Sequence, residues 1–494
     1  MQNTPEIKLA VVGVSRDCFP IEITRNRLAK VAQACKKRKL SVTICETIVE
    51  SEADAMKALA ELRATRANAL GIYLGNFGPE GPLTILAREF GGPFMLCGAA
   101  EDSAKTLVDG RGDAYCGMLN ASLNCLLRRQ RPHIPEVPVG SPEAVADMLA
   151  HFASVARVVV GVKSLKVFGF GPRPQDFYAC NAPIQPLYDL GIEVMENSEL
   201  DLLQIYKQAA SQTKRVKDTA AEIESEMGKA TFAKRPEKLQ QLAQFEVGLL
   251  DFLEKNLGSR TYGVFADKCW PAFESAFGFV PCYINSRLTA RGIPVACEVD
   301  LYGAVSEYMG QCASQLPGTL LDINNTVPDD LPIADLKGAA RGDLFMGFHC
   351  GNTPKCNLCG GCGLKHQLIM HRLMEQGKEP DITWGTLEGT LKPGVATVFR
   401  LQANSDNHLK SYLAEGHILD ADPRSFGGIG VIGVPHFARF YRHVLIGKNF
   451  PHHAAVSWAH AGRVLFDALH LLGVRDVSTP RLPGDRYPTE NPFG

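Results

Sequence analysis

Two acidic residues sit where acids are costly to place. Glu298 ends the run Ile293-Pro294-Val295-Ala296-Cys297-Glu298-Val299, and Asp322 ends Thr319-Leu320-Leu321-Asp322-Ile323. They lie 24 residues apart, enough for a strand, a helix and a second strand. Each run reads as a buried strand, so both acids are expected at strand ends of one sheet. A buried carboxylate stays ionised only beside a cation or hydrogen-bond donors. Two at one site point to a hard divalent cation with oxygen ligands. The bland alternative has Asp322 capping a turn with Asn324 and Asn325, and Glu298 paired with an arginine. Asp300 reads as the N-cap of a helix that begins at Leu301.

A neutral imidazole is a common third ligand beside two carboxylates. Candidates are His349, in Phe348-His349-Cys350-Gly351-Asn352, and the pair His452-His453; the residues alone do not choose among 13 histidines. A different chemistry is offered by Cys350, Cys356, Cys359 and Cys362, spaced C-x5-C-x2-C-x2-C in a Gly-rich stretch. Thiolates so spaced hold zinc or an iron–sulfur cluster, or they are free cytosolic thiols in a tight loop. Two further candidates lie after strands, where open α/β sheets bind ligands: Arg16 and Trp270. The literal G-x-G-x-x-G at Gly428–Gly433 is not a dinucleotide fingerprint, because its surroundings are β-like and Pro435 follows at once.

These residues need a frame to hold them. From residue 8 to 97, strand patterns (8–14, 41–45, 69–74, 93–97) alternate with helical ones (22–38, 53–65), the mark of a parallel sheet covered on both faces. A helix over about 141–162 leads out. A second cycle starts with a strand at 165–171, continues through polar helices between 200 and 257 and a strand at 262–266, and takes in the Glu298 and Asp322 strands. After about 343, glycine and β-branched residues dominate, and a helix over 454–472 closes the chain. The expected fold is α/β: two Rossmann-like α/β domains (1–163 and 164–342), then a mainly β, barrel-like domain (343–494).

Composition sets the remaining bounds. The chain has 494 residues and a net charge of −1, with no long basic run to suggest nucleic acid. No signal peptide is read at the start, and no apolar run is read as long enough to span a bilayer. Fifteen cysteines scattered through apolar segments fit a reducing, cytoplasmic setting.

Four segments together resemble the L-fucose isomerase and L-arabinose isomerase superfamily, nearer the fucose side. They are Cys297-Glu298-Val299-Asp300, Leu321-Asp322-Ile323-Asn324-Asn325, Phe348-His349-Cys350-Gly351-Asn352, and His452-His453-Ala454-Ala455-Val456-Ser457-Trp458-Ala459-His460-Ala461-Gly462. The likeness is fullest from about residue 165 onward. It implies metal ligands at Glu298, Asp322 and His453, the histidine fixed by His460 seven residues later. It also implies a manganese or other divalent cation (Mg2+ or Co2+), Glu298 and Asp322 as the proton-moving pair, and a trimeric or hexameric homo-oligomer. His349, Asn352, Arg16 and Trp270 then become substrate-facing candidates. The family pattern does not require the cysteine stretch, and zinc or Fe–S there would be structural, because the sugar metal wants oxygen ligands.

The expected activity is metal-dependent aldose–ketose isomerisation of a free sugar such as L-fucose, D-arabinose or an L-arabinose-like sugar, through an enediolate. A sugar epimerase would use the same intermediate. A sugar-binding module without turnover and a metal–thiolate redox protein are the alternatives from other classes.

Overall fold

The computed structural model describes residues 3–375 and 381–493. It divides into two compact units. One holds Pro5–Val160 with Asp467–Gly473; the other holds Gly161–Phe466 and Val474–Gly494, together with Met1–Thr4.

The first unit is built on five parallel strands: Leu9–Val14 (β1), Thr43–Ile44 (β2), Ala69–Leu74 (β3), Phe94–Ala99 (β4) and Val139–Gly140 (β5), in the order β2-β1-β3-β4-β5. Every residue of β1, β3 and β4 is buried, as a sheet covered on both faces requires. The helix Pro142–Lys163 corrects one expectation. By length and composition it could cross a bilayer, yet 61% of its apolar window is buried inside the fold, as in a core helix. Within this unit its Leu149 meets Gly71 and its Phe152 stacks on His133 at 5.6 Å.

The second unit contains two sheets. Leu165–Gly171 (β6), Glu193–Ser198 (β7), Tyr262–Ala266 (β8) and Val295–Ala296 (β9) form a parallel sheet in the order β7-β6-β8-β9. The other sheet is mixed and has nine strands. They are Thr319–Asn325 (β10), Leu344–His349 (β11), Gly363–His366 (β12), Trp384–Thr390 (β13), Gly394–Ala403 (β14), Leu409–Ile418 (β15), Gly428–Gly433 (β16), His453–Ser457 (β17) and Asp476–Ser478 (β18). Their order is β12-β13-β16-β11-β10-β17-β14-β15-β18, with a further pairing between β15 and β16.

Two expectations change here. Glu298 and Asp322 do not share a sheet: β9 stops at Ala296 in the parallel sheet, and Asp322 belongs to β10 of the mixed sheet. The stretch 454–472 is not one helix, because β17 occupies its start and the helix begins at Gly462. Residues 164–342 share a compact unit with 343–466 and 474–494. The Gly428–Gly433 motif is itself strand β16, which explains why it opens no phosphate loop.

The helix Leu301–Ser314 joins the two sheets. Leu301 through Cys312 are all buried. It packs on β6, β8 and β9 of one sheet and on β10, β14 and β17 of the other. A helix covered all round belongs in a core.

Candidate active site

The site forms where that helix begins. After β9 the chain makes a single tight turn, Cys297–Val299, before Asp300 caps the helix through the Gly303 N–H at 2.8 Å. The turn forces Glu298 to φ +59° and Val299 to φ +56°. A β-branched residue in the left-handed region costs on the order of 1–3 kcal/mol and marks a segment held by its surroundings. The Val299 N–H donates to the Asp267 carbonyl at 2.8 Å, one of the contacts that hold it. The Glu298 carboxylate leaves this turn to meet His453 of the mixed sheet.

The mixed sheet supplies the rest by register. Asp322 on β10 lies directly opposite His453 on β17 and opposite Phe348 on β11, so His349 follows next to the same point. Cross-strand partners sit close enough for their side chains to meet. His453 Nε2 is 3.1 Å from Glu298 Oε2 and 3.4 Å from Asp322 Oδ1. His349 offers a ring nitrogen within 4.8 Å of the Glu298 and His453 donor atoms, and His452 does the same for Asp322 and His453. His349 Nδ1 accepts from the Cys350 N–H at 2.9 Å, which leaves its Nε2 for the pocket.

This set fits a divalent cation on its own chemistry. Asp322 Oδ1 is buried without a hydrogen-bond partner, and buried His453 Nε2 faces both acids without a well-directed hydrogen bond to either. Orphaned buried donors and acceptors are costly unless something else satisfies them. Burial opposes a charge on His453, but the acids around it outweigh this and hold it protonated. Once its Nε2 proton is released, two carboxylates and one imidazole make a suitable ligand set for manganese, magnesium or cobalt.

The protonation pattern is uneven. Burial, reinforced by the charge on Glu298, pushes Asp322 up to about 6 despite His453. Burial also works against the Glu298 carboxylate, but contact with His453 outweighs it and holds Glu298 below its ordinary value. Burial takes His349 and His452 down to about 4, so both are neutral near pH 7. A cation in the site favours the ionised form of both acids.

Behind His453 lies a group that reading the sequence missed. His453 Nδ1 donates to Asp300 Oδ2 at 2.8 Å, with Cys180 Sγ 3.6 Å away. Asp300 is gripped by both Nη atoms of Arg400, at 2.5 and 2.9 Å, and both side chains are 1% exposed. Asp300 is thus the expected cap and also the group that sets the histidine's orientation. One signal was available: Arg400 sits in the apolar run Val398-Phe399-Arg400-Leu401, and a buried guanidinium demands an acid.

The remaining candidates divide. Asn352 is buried with an unpartnered Oδ1. Trp270 lies edge-on to Phe177 at 6.3 Å, and Phe177 edge-on to His452 at 5.4 Å, making an aromatic wall. A cleft of about 370 Å³ opens beside Val299, lined by Gly169, Gly171, Arg173, Glu196 and Asn197 at the carboxyl ends of β6 and β7. Arg16 belongs to the other unit, where its backbone N–H donates to Asn76 and its guanidinium lies 3.5 Å from Glu80. The four-cysteine reading is corrected. No three of those sulfurs come within 4.8 Å of one another. Cys350 packs instead with Cys269, Cys282 and Cys297, while Cys356 and Cys359 turn to Asn357 and the Leu391 carbonyl.

Residues 10–163 match the family described as fucose/sulfoquinovose isomerase, N-terminal domain, and residues 347–478 match L-fucose isomerase, C-terminal domain. Three similar proteins are named sulfoquinovose isomerase. The one from Priestia aryabhattai is 23% identical over 313 residues, covering 63% of this chain and 66% of its own. The one from Alkalicoccus urumqiensis is 26% identical over 340 residues, covering 66% and 68%. The one from Clostridium sp. (strain MSTE9) is 27% identical over 302 residues, covering 60% and 61%. The match thus spans just under two thirds of the Priestia relative's length. The chain belongs to the fucose isomerase-like superfamily.

Proposed function

We propose that this chain is an aldose–ketose isomerase acting on a free sugar, with Glu298, Asp322 and His453 holding a divalent cation. The observation that carries the reading is the convergence on one imidazole nitrogen of two carboxylates, one from the turn after β9 and one from β10, with the Asp322 Oδ1 buried and left without a hydrogen bond. When bound, a divalent cation would supply positive charge against the two oxygens of an enediolate. Asp300 keeps His453 Nε2 turned toward the carboxylates. One of Glu298 and Asp322 takes the proton from carbon, and the other moves the proton between the neighbouring oxygens. The face presented by the sugar decides which. Trp270 and Phe177 wall the pocket and limit water.

The substrate class includes L-fucose, D-arabinose and L-arabinose-like sugars, and the relatives' name adds a sulfonated hexose. The same reading takes β11 to β18 of the mixed sheet, with their β15–β16 pairing, as the barrel-like third domain. A cytoplasmic setting agrees with all fifteen cysteines being free. A homo-oligomer agrees with Tyr115, Leu119, Leu123 and Leu126, which lie exposed on one helix.

The test is ketose formation from a panel of aldoses, with and without manganese, in wild type, Glu298→Gln and Asp322→Asn. Each substitution should lower turnover by at least about 100-fold, the usual share of a positioned acid or base. Near-normal turnover in both variants at saturating metal would rule the mechanism out. An epimerase would instead interconvert aldoses and release no ketose.

A further inference from the structure

A second group of metal-binding side chains converges elsewhere in the larger unit. His366 ends β12. His371 and Glu375 follow one helical turn apart, in the segment His371–Glu375. Residues so spaced stack on one face of a helix. One donor atom from each of His366, His371 and Glu375 lies within 4.8 Å of the other two. The two imidazoles are 4.6 Å apart, and His371 Nδ1 is 2.8 Å from Glu375 Oε2.

The surroundings fix these groups. The Glu375 side chain is fully buried and accepts from the Ile382 N–H and the Thr383 hydroxyl. His366 Nε2 meets Asp381, which Arg235 Nε holds at 2.6 Å. An imidazole backed by an outer carboxylate is how metal-binding histidines are usually oriented. A hydrogen-bonded pair explains His371 and Glu375 alone. It does not explain why His366, already partnered by Asp381, reaches the same point. The two histidine side chains are 29% and 27% exposed, which leaves an entry path.

We propose that His366, His371 and Glu375 form a second metal site, distinct from the catalytic pocket and selective for a borderline cation, zinc foremost. Two imidazoles and one carboxylate favour zinc, nickel or cobalt over magnesium or manganese. Tetrahedral zinc holds neighbouring ligand atoms about 3.3 Å apart, given bonds of about 2.0–2.2 Å. The His371–Glu375 contact therefore opens by about half an ångström on binding, with a solvent ligand in fourth place. The ion would tie the end of β12 to Ile382 and Thr383 just before β13, a structural rather than a sugar-binding role.

The experiment uses the full chain carrying Glu298→Gln and Asp322→Asn, which weakens the first site and leaves the second intact. The protein is stripped with chelator and titrated with zinc alone. Bound metal is read by elemental analysis after gel filtration, and cobalt substitution is read by visible d–d absorption. The expected result is about one zinc per chain, with affinity falling at least about tenfold on adding His371→Gln or, separately, His366→Gln. Folding is checked by circular dichroism, and the half-exposed His366 provides a measurement if the His371 variant does not fold. No retained zinc, or zinc binding indifferent to both histidine substitutions, overturns the proposal. Because no activity is measured, this outcome is independent of whether the chain isomerises sugars.

Discussion

Replacing Asp300 by Asn should separate what holds the fold from what holds the metal. The carboxylate serves four donors: Oδ1 accepts from the Gly303 N–H and one Arg400 nitrogen, and Oδ2 from the other Arg400 nitrogen and His453 Nδ1. Asparagine keeps the size and the helix cap, since its carbonyl oxygen can still face Gly303. Its NH2 group then points at two donors, Arg400 Nη1 and His453 Nδ1. Arg400 is left charged and buried without an acid, which costs about 3–5 kcal/mol. His453 loses the contact that fixes its ring, and outer partners of this kind are worth about 10–100-fold in metal affinity. Urea denaturation reads the first loss and manganese titration the second. Adding Arg400→Met removes the stranded charge, so it should restore much of the stability and none of the affinity. Unchanged manganese affinity in Asp300→Asn, or affinity that returns with Arg400→Met, would refute the positioning role.

Other outcomes follow from the same structure. Burial raises Glu307 to about 8, so the folded chain holds this acid protonated while the unfolded chain releases its proton near 4.5. Stability from this group is complete below pH 4.5 and is lost as pH rises toward 8; Glu307→Gln should flatten that slope and gain on the order of 3–4 kcal/mol at pH 7, read by denaturation at pH 5, 7 and 8.5. A triple Cys356→Ser, Cys359→Ser, Cys362→Ser variant should keep the zinc and iron content of wild type, measured by elemental analysis, because those sulfurs do not converge. Trp270→Ala should raise KM for sugar by several-fold to tenfold and change kcat less, in steady-state assays, since it removes part of a wall rather than a proton carrier.

Much of this architecture was legible because it follows from period and burial. The all-apolar run at β1 and its successors demanded a parallel sheet, and the two carboxylates announced themselves by interrupting apolar runs. The error about a shared sheet has a specific cause. Val295-Ala296 and Thr319-Leu320-Leu321 look alike as short buried strands, and nothing local tells a parallel neighbour from an antiparallel one. The left-handed turn at Glu298 and Val299 was invisible, because neither residue type advertises a positive φ. Asp300 was half read: its cap lies within three residues, whereas its partners Arg400 and His453 come from strands 100 and 153 positions away. The cysteine spacing suggested a chelate that the chain path does not make, since Cys350 turns inward toward Cys269 and Cys297 while its three neighbours stay on the loop.

The helix Leu301–Ser314 is the hinge pin between two sheets, and the pocket straddles the seam that it spans. One carboxylate is anchored on each side. A cation bound between them would act as a rivet across that seam, so loading should tighten parts of the protein that never touch the ion. Amide exchange in the helix and in β17 should slow on adding manganese, in proportion to the binding free energy. Chelation should loosen both together while β1 to β5 stay unchanged.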